Sequence, residues 1–403
     1  MDIKTSSRPE GARPARVFSA SALCTLAVLA CAASQQAMAG QAERAKAAAL
    51  YSRLTGVPPT AAQLDDMEQK IIANTPALAA GVAIAAPEFY NVTLKNMFLP
   101  ATNRDQSVFV PLNDYVVTAI GMIHDDMPFN TALSADILYT LKGGGLPAPS
   151  PSNNDHYAAA EAASVDISAN LQPTTQSAAY GTSTAAVAGL ITTRASASAF
   201  FVNGTNRAMF RFTLVNHLCR DMEQVQDTSR PTDQIRQDVA SSPGGDSRVY
   251  LNNCIGCHSG MDPMARAFAY YNFDNTSQAM VFTAGTVQPK YFINSTNNKF
   301  GFVTPDNTWT NRWRAGPNST LGFDSSLPPT GSGAASLGRE LAASDAFAEC
   351  QVQKAFKAVC LRAPSSTTDA TAVATIKNNF KANGYKMKQV FADAAVYCTV
   401  TAP

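Results

Sequence analysis

The pentapeptide Cys254-Ile255-Gly256-Cys257-His258 decides how the rest of this chain is interpreted. Two thiols separated by two residues can add to the two vinyl groups of one haem, and the adjacent imidazole then binds the iron. A thioredoxin-like redox pair would lie in a βαβ pattern, and a structural zinc site would need a second Cys/His pair at close spacing. The sequence has neither. It therefore predicts one covalent haem c, with Cys254 and Cys257 as its thioether residues and His258 as the proximal iron ligand.

Turn-forming and helix-forming residues surround this motif. Gly244-Gly245-Asp246 predicts a turn and a cap, after which residues 247–253 are expected to be helical. Pro263 predicts the first turn of a second helix, with Asp262 as its N-cap. Aromatic residues recur within 264–271, so that helix is expected to form a wall of the haem site.

The segment from Cys254 to Pro263, followed by Asn272-Phe273-Asp274, resembles the haem-binding module of the multi-domain planctomycete-type cytochrome c proteins, a c-type cytochrome family. Further similarity to that module and to its companion module lies in four short stretches: 189–193, 206–207, 344–350 and 383–385. In this chain the run after Asp262-Pro263 is longer than in the family, and Tyr271 replaces a glutamate. The resemblance implies covalent haem attachment and export, and it does not specify a reaction.

The first 39 residues have the pattern of a secretory signal peptide. Basic residues precede the apolar stretch 17–33, and Ala37-Met38-Ala39 fits the site of signal cleavage. Cleavage there would leave a mature chain that begins at Gly40 and is exported to the bacterial periplasm. The alternative is a lipid-anchored or cell-surface protein, because residues 28–31 also resemble a lipoprotein box that ends at Cys31.

Composition argues against a nucleic-acid-binding protein and against a membrane-spanning one. The 31 basic and 30 acidic residues leave a net charge of +1, so no basic field favours nucleic acid. Charged residues make up 15% of the chain and hydrophobic residues 46%, which indicates a globular protein with a large core. After the signal peptide, no run of about 18 apolar residues predicts a transmembrane segment.

Helical periodicity predominates after the signal peptide, so the predicted fold is mainly α, a helical exported c-type cytochrome. The exception is 279–293, where two apolar runs flank Ala284-Gly285 and predict a small β-hairpin insertion after the haem motif. A linker rich in Gly, Pro and Ser at 143–152 marks the first boundary. The predicted domains are a signal peptide (1–39), an N-terminal helical region (40–150), a c-haem-binding module (151–275) and a C-terminal β-hairpin and helical module (276–403).

Outside the signal peptide and the haem motif, the cysteines are Cys219, Cys350, Cys360 and Cys398. An even number in an exported chain predicts two disulfides. Cys350 and Cys360 share one predicted helix, 337–361, and lie about 15 Å apart along it, beyond the ~4.4–6.8 Å Cα separation of a disulfide. If the three C-terminal helices alternate in direction, Cys398 meets Cys360, and Cys219 is left for Cys350.

The preferred functional hypothesis is a periplasmic monohaem cytochrome that transfers single electrons to and from redox partner proteins, alone or as a subunit of a redox complex. One alternative is a haem enzyme with an open sixth coordination position, peroxidase- or oxygenase-like. Another is a haem-containing protein that binds a substrate or partner. The choice depends on the distal iron ligand, for which the candidates are Met280 and His217, the latter on the apolar face of a predicted helix over 206–222. The sequence does not identify the electron donor, the acceptor or the oligomeric state.

Overall fold

The computed structural model describes residue 1 and residues 40–292 and 300–401. The predicted signal peptide, apart from Met1, lies outside the described residues, and so does Cys31. The chain is mainly helical, with 58% helix and 7% strand, the strands forming small antiparallel hairpins. This confirms the mainly α class that the periodicity predicts.

The helices fall into three groups along the chain. Before the first linker the chain forms α1 (40–55), α2 (Ala61–Ile72), α3 (Pro76–Ile84), α4 (Lys95–Phe98) and α5 (Asp114–His124). Up to and including the haem motif it forms α6 (Asp155–Ala162), α7 (Ile167–Asn170), α8 (Gln176–Tyr180), α9 (Arg194–Phe200), α10 (Arg207–Leu218), α11 (Ser247–Val249) and α12 (Ile255–Ala265). The C-terminal group is α13 (Gly333–Ala342), α14 (Asp345–Cys360), α15 (Thr367–Ala382) and α16 (Met387–Val396).

The strands form separate two-stranded antiparallel ladders. They are β1 (Leu138–Leu141) with β2 (Leu171–Thr174), β3 (Tyr271–Asp274) with β4 (Ala279–Phe282), and β5 (Thr308–Thr310) with β6 (Thr330–Ser332). The ladder after the haem motif differs from the predicted hairpin, since 279–282 pairs with the preceding strand rather than with residues 287–292. Ile293, the last residue of the predicted hairpin, lies outside the described residues. The turn lies at 275–278, where the Asp274 carboxylate accepts the backbone N–H groups of Thr276 and Ser277.

Side-chain caps decide where several helices begin. Thr60 follows Pro58-Pro59 in the sequence and so predicts the start of a helix. With Gln63 it forms the reciprocal capping box at the start of α2. Ser344 caps α14 by accepting the backbone N–H of Phe347, so the predicted helix 337–361 is divided into α13 and α14. Cys350 and Cys360 remain on one helix.

The prediction that a second helix begins at Pro263 is wrong. α12 continues through Pro263 to Ala265 and is followed by a short 3₁₀ turn, Arg266–Phe268. The Asp262 side chain does not cap a helix because its carboxylate binds the Arg207 guanidinium, at 2.8 and 3.0 Å. A tertiary ion pair therefore replaces the local cap that the sequence indicates.

One hydrophobic cluster connects the N-terminal, central and C-terminal helices. α14 packs against α10, α15 and α16, and α16 also packs against α3. Phe347, Val352 and Phe356 are fully buried on α14. The haem-motif helix joins this core through Met261 and Met264, so the motif is fixed to the body of the molecule.

Two cysteine pairs cross-link the helices. Cys219, directly after α10, lies at disulfide distance from Cys350 on α14, with a Cα–Cα distance of 5.2 Å. Cys398 lies at disulfide distance from Cys360, at 5.5 Å between Cα atoms. These are the pairings predicted from the alternating directions of the C-terminal helices.

In the described ranges no single helix is long and apolar enough to cross a membrane, and one bent pair, Pro76–Ile84 with Phe89–Thr102, reaches that length and composition when combined.

Candidate functional site

The three side chains of the haem motif lie at the first turns of α12. Cys254 immediately precedes the helix, and Cys257 and His258 lie within it. The helix is held against the preceding loop by two hydrogen bonds: the Asp227 N–H donates to the Gly256 carbonyl at 2.9 Å, and Ser259 Oγ donates to the Asp227 carbonyl at 2.9 Å. These bonds fix the rotation of the helix and so the face on which the motif is presented.

Gly260 fixes how closely α12 approaches the core. A Cβ at this position would overlap the indole of Trp313, which is fully buried. Trp313 is a core residue that packs against the motif helix. The helix that carries the site therefore packs directly against a buried indole.

A cavity of about 510 Å³ opens in front of the motif, within the ~300–1,000 Å³ range of cofactor and small-molecule sites. Cys254, Cys257 and His258 all line it. The other lining residues are Arg104, Arg207, Ala208, Arg211, Phe212, Met222, Asn253 and Met261. The three residues of the motif thus line one space, as attachment of a single planar cofactor requires.

The imidazole of His258 has a carboxylate partner one helical turn away. His258 Nδ1 lies 3.2 Å from both oxygens of Asp262, on the same face of α12. Nδ1 then carries the proton that it donates to the carboxylate, and Nε2 is the nitrogen left to bind a metal. Metal-binding histidines commonly have this second partner, which orients the ring and makes it a stronger donor.

Asp262 is fully buried, and two arginines balance its charge. Arg207 binds it through Nε and Nη2, and the Arg236 backbone N–H donates to it at 3.1 Å. Burial raises the pKa of Asp262, but the positive charges of Arg207 and Arg236 outweigh that effect and hold the pKa well below its usual range. His258 therefore faces an anion rather than a neutral acid.

Arg207 also connects Asp262 to a second carboxylate. Its Nη1 and Nη2 donate to Asp238 at 2.7 and 2.8 Å, so one guanidinium holds two aspartates. Asn206, which precedes it, adopts a left-handed backbone conformation with φ of 59°. The Asn206 amide donates to the carbonyls of Phe268 and Tyr271 at 2.7 and 2.9 Å. This anchors the start of α10 to the segment that follows the haem motif.

The sequence predicts the candidate ligand residues but not this charge network. Asn206-Arg207 belongs to the family resemblance, which gives no role to these side chains, and Asp262 is predicted to be a helix cap. Arg236 and Asp238 lie in a polar loop with no motif of their own. The signal available in the sequence is an aspartate four residues after His258, on the same face of a helix.

The motif cysteines are free thiols and partly exposed, whereas the other cysteines of the described ranges are paired. Burial, with the charges of Cys254, Glu223 and Asp221, raises the pKa of Cys257. This is opposite to the lowered pKa of the nucleophilic cysteine in thiol oxidoreductases.

The two candidate distal ligands lie away from this cavity. His217 is buried in the core, where its Nε2 lies 3.1 Å from the Tyr115 hydroxyl. Burial lowers the pKa of His217 to about 3, so the ring is neutral. Met280 lies on β4 opposite Phe273 and packs against the core. Neither lines the cavity, whereas Met222 and Met261 do.

Comparison of the chain with protein-family models, with curated proteins and with solved structures finds no match. The resemblance to planctomycete-type cytochrome modules stays a prediction that rests on the residues quoted above.

Proposed function

We propose that this protein is an exported c-type cytochrome that carries one covalent haem c and transfers single electrons. The observation that carries the proposal is the convergence of Cys254, Cys257 and His258 on one cavity of cofactor size. Their spacing in the sequence supports haem, and the paired Nδ1 of His258 supports metal binding through Nε2.

The residues of the cavity fit the parts of a haem. Cys254 and Cys257 would hold the ring through thioether bonds, and His258 would bind the iron. Arg104 at the cavity edge suits a haem carboxylate, because its guanidinium donates to the Ala199 and Val202 carbonyls and has no carboxylate partner among the described residues. A bound haem supplies a one-electron couple whose potential depends on the axial ligands and on burial.

Attachment is tested with Cys254→Ser combined with Cys257→Ser. The wild-type protein, produced by export in a host that matures c-type cytochromes, should hold one haem that resists acid-acetone extraction. The double variant should hold none covalently. The matched control is Cys219→Ser with Cys350→Ser, which removes two cysteines outside the motif and should keep the haem. Stoichiometric covalent haem in the motif variant would overturn the assignment.

Export is a separate part of the proposal and has its own test. The expected product is a periplasmic protein whose N-terminus is Gly40. The competing outcome is a lipidated N-terminus at Cys31, recovered with membranes. Fractionation followed by N-terminal mass analysis separates the two.

A haem enzyme is the second candidate, and one contact favours it. The anionic Asp262 against His258 strengthens the proximal ligand, and a strong proximal donor favours oxygen and peroxide chemistry. A carrier should undergo reversible one-electron oxidation and reduction without consuming peroxide. Peroxide turnover that depends on the haem would replace the carrier proposal with the enzyme.

A further inference from the structure

A second and larger cavity, of about 760 Å³, lies between α1, the segment around α4 and the C-terminal end of α14. It shares no lining residue with the cavity at the haem motif. Its lining residues are Ser52, Arg53, Gly56, Val92, Thr93, Asn96, Met97, Pro100, Val108, Lys354, Lys357, Ala358 and Leu361. Nothing in the cytochrome proposal uses this space.

The charges that line the second cavity are all positive. Arg53, Lys354 and Lys357 contribute to its wall, and the wall contains no aspartate or glutamate. Ion pairs within 4 Å are numerous elsewhere in the described ranges, and none of them involves these three side chains. The cavity therefore concentrates positive charge that the described part of the chain leaves uncompensated.

Lys354 is the most informative of the three cations. Its ammonium donates to the Asn216 carbonyl at 3.2 Å and lies 5.5 Å from the centre of the Phe98 ring. Burial lowers the pKa of Lys354 to about 8. A shielded ammonium without a carboxylate partner is costly, and an anion in the cavity would offset that cost.

The rest of the wall is apolar. Val92, Met97, Pro100 and Ala358 line it, and large apolar side chains stand at its rim, where Leu361 is 70% and Val108 40% exposed. A small hydrated anion would leave this surface bare. A ligand with one anionic group and a long apolar body would cover the surface and neutralise the cations together.

We propose that this cavity binds the anion of a long-chain aliphatic acid, with its carboxylate against Lys354, Lys357 and Arg53 and its chain along the apolar wall. The cavity shares no lining residue with the haem motif, so binding of the acid can be tested separately from the cytochrome proposal.

The test is calorimetric titration of the purified full-length protein with dodecanoate, at concentrations below those at which it forms micelles. We expect one molecule to bind and the thermal unfolding midpoint to rise with ligand concentration. Dodecan-1-ol has the same chain without the charge, and acetate has the charge without the chain. Each should bind at least about tenfold more weakly.

Variants locate the site. Lys354→Met keeps the length of the side chain and removes the charge, and it should weaken dodecanoate binding by about tenfold or more. Lys357→Gln, at an exposed position, should weaken binding without threatening the fold, which far-ultraviolet circular dichroism checks. Lys142→Met changes an exposed lysine outside the cavity and should bind like wild type. Equal binding of dodecanol and dodecanoate, or wild-type binding by both cavity variants, would overturn the proposal.

Discussion

The carboxylate of Asp262 contacts the His258 imidazole on one side and the Arg207 guanidinium on the other. The same guanidinium holds Asp238, which has no contact with His258 among the bonds of the described chain. Two aspartates therefore share one structural role, and only Asp262 touches the candidate iron ligand. This arrangement separates an effect on the metal from an effect on the fold.

We predict that Asp262→Asn raises the reduction potential of the haem, and that Asp238→Asn leaves it unchanged. The amide is a weaker acceptor for the His258 N–H, so the imidazole becomes a poorer donor and stabilises ferric iron less. Both variants should lower the free energy of unfolding, by about 1–3 kcal/mol, because each removes one of the two carboxylate charges that the Arg207 guanidinium binds. Redox titration and urea unfolding measure the two quantities. Equal shifts in potential for both variants would contradict the role of Asp262.

A second prediction concerns Lys290, whose ammonium donates to the Phe201 carbonyl and to the side chains of Asn206 and Asn272. Burial, with the nearby charge of Arg236, lowers the pKa of Lys290 from 10.5 to about 7. The unfolded chain therefore binds more protons than the folded chain between about pH 7 and pH 10.5, and stability from this residue rises with pH across that window.

The urea midpoint of wild type, compared with Lys290→Met at pH 7 and pH 9, measures this contribution. The free energy of unfolding of wild type minus that of Lys290→Met should increase with pH, by up to about 1.4 kcal/mol per pH unit. The comparison cancels the groups that both proteins share, including Lys354. A difference that stays constant from pH 7 to pH 9 would mean that Lys290 does not titrate there.

At this scale the sequence predicted the residues whose chemistry depends on spacing alone. Cys254, Cys257 and His258 were identified from five consecutive positions, and the structure brings them to one cavity. The role of Asp262 was missed because it depends on Arg207, a residue 55 positions earlier in the chain. The neighbouring residues predict that Asp262 is a helix cap, and in the folded chain its carboxylate binds Arg207 instead.

Two helical glycines, Gly260 and Gly81, differ in how much space a side chain would have at each position. Gly260 on α12 faces the Trp313 indole, while a Cβ at Gly81 on α3 would meet nothing within 4 Å. We predict that Gly260→Ala destabilises the protein by about 1–3 kcal/mol, since α12 must move away from the tryptophan. Gly81→Ala should instead stabilise it by roughly 0.5–1 kcal/mol, because alanine is the better helix residue. Urea unfolding of both variants checks the signs, and two effects of the same sign would refute the packing of α12.

The two disulfides should differ in what they contribute. Cys219 and Cys350 are 131 residues apart in the chain, and Cys360 and Cys398 are 38 apart. Closing the longer loop restricts the unfolded chain more, by about 1 kcal/mol in the chain-entropy description. The Cys219→Ser, Cys350→Ser protein should therefore be less stable than the Cys360→Ser, Cys398→Ser protein. The reverse order in urea unfolding would show that folded-state packing outweighs loop closure.

Helix positions followed from periodicity and caps, as Thr60 at the start of α2 shows. The hairpin after the motif lies earlier in the chain than Ala284-Gly285 predicts, because the Asp274 side chain stabilises a turn at 275–278. The disulfide pairing was predictable because helix rise excludes a bond between Cys350 and Cys360, which leaves few pairings.

At the scale of the whole molecule, the cavity at the haem motif is assembled from segments far apart in the sequence. Arg104 comes from the N-terminal region, Arg207 from α10, and Met222 from the loop that follows α10. No periodicity or short motif joins such residues. The sequence therefore predicts the residues of the motif itself, whereas it gives only candidates, Met280 and His217, for the distal ligand.

Met222 is the methionine that lines the cavity from a segment other than α12. Its carbonyl oxygen lies 3.6 Å from Cys257 Sγ, and its turn, Met222–Val225, is capped by Asp221, which Arg211 binds at 2.6 Å. Met261 lies three residues after His258 on the same helix and so stays on the side of the proximal ligand. A carrier needs a sixth ligand, and these positions make Met222 the residue that we expect to supply it.

The coordination state decides between carrier and enzyme, and we predict the carrier. Wild-type protein should contain low-spin, six-coordinate iron that does not bind carbon monoxide when reduced. Met222→Ala should open the sixth position and bind carbon monoxide, whereas Met280→Ala and His217→Ala should keep the wild-type spectrum, because neither side chain lines the cavity. Optical spectra of the oxidised, reduced and carbon monoxide-treated proteins provide the measurement. If Met280→Ala or His217→Ala alone opened the iron, the distal ligand would be that residue. If wild type itself were high-spin and bound carbon monoxide readily, the single-electron carrier would give way to the haem enzyme.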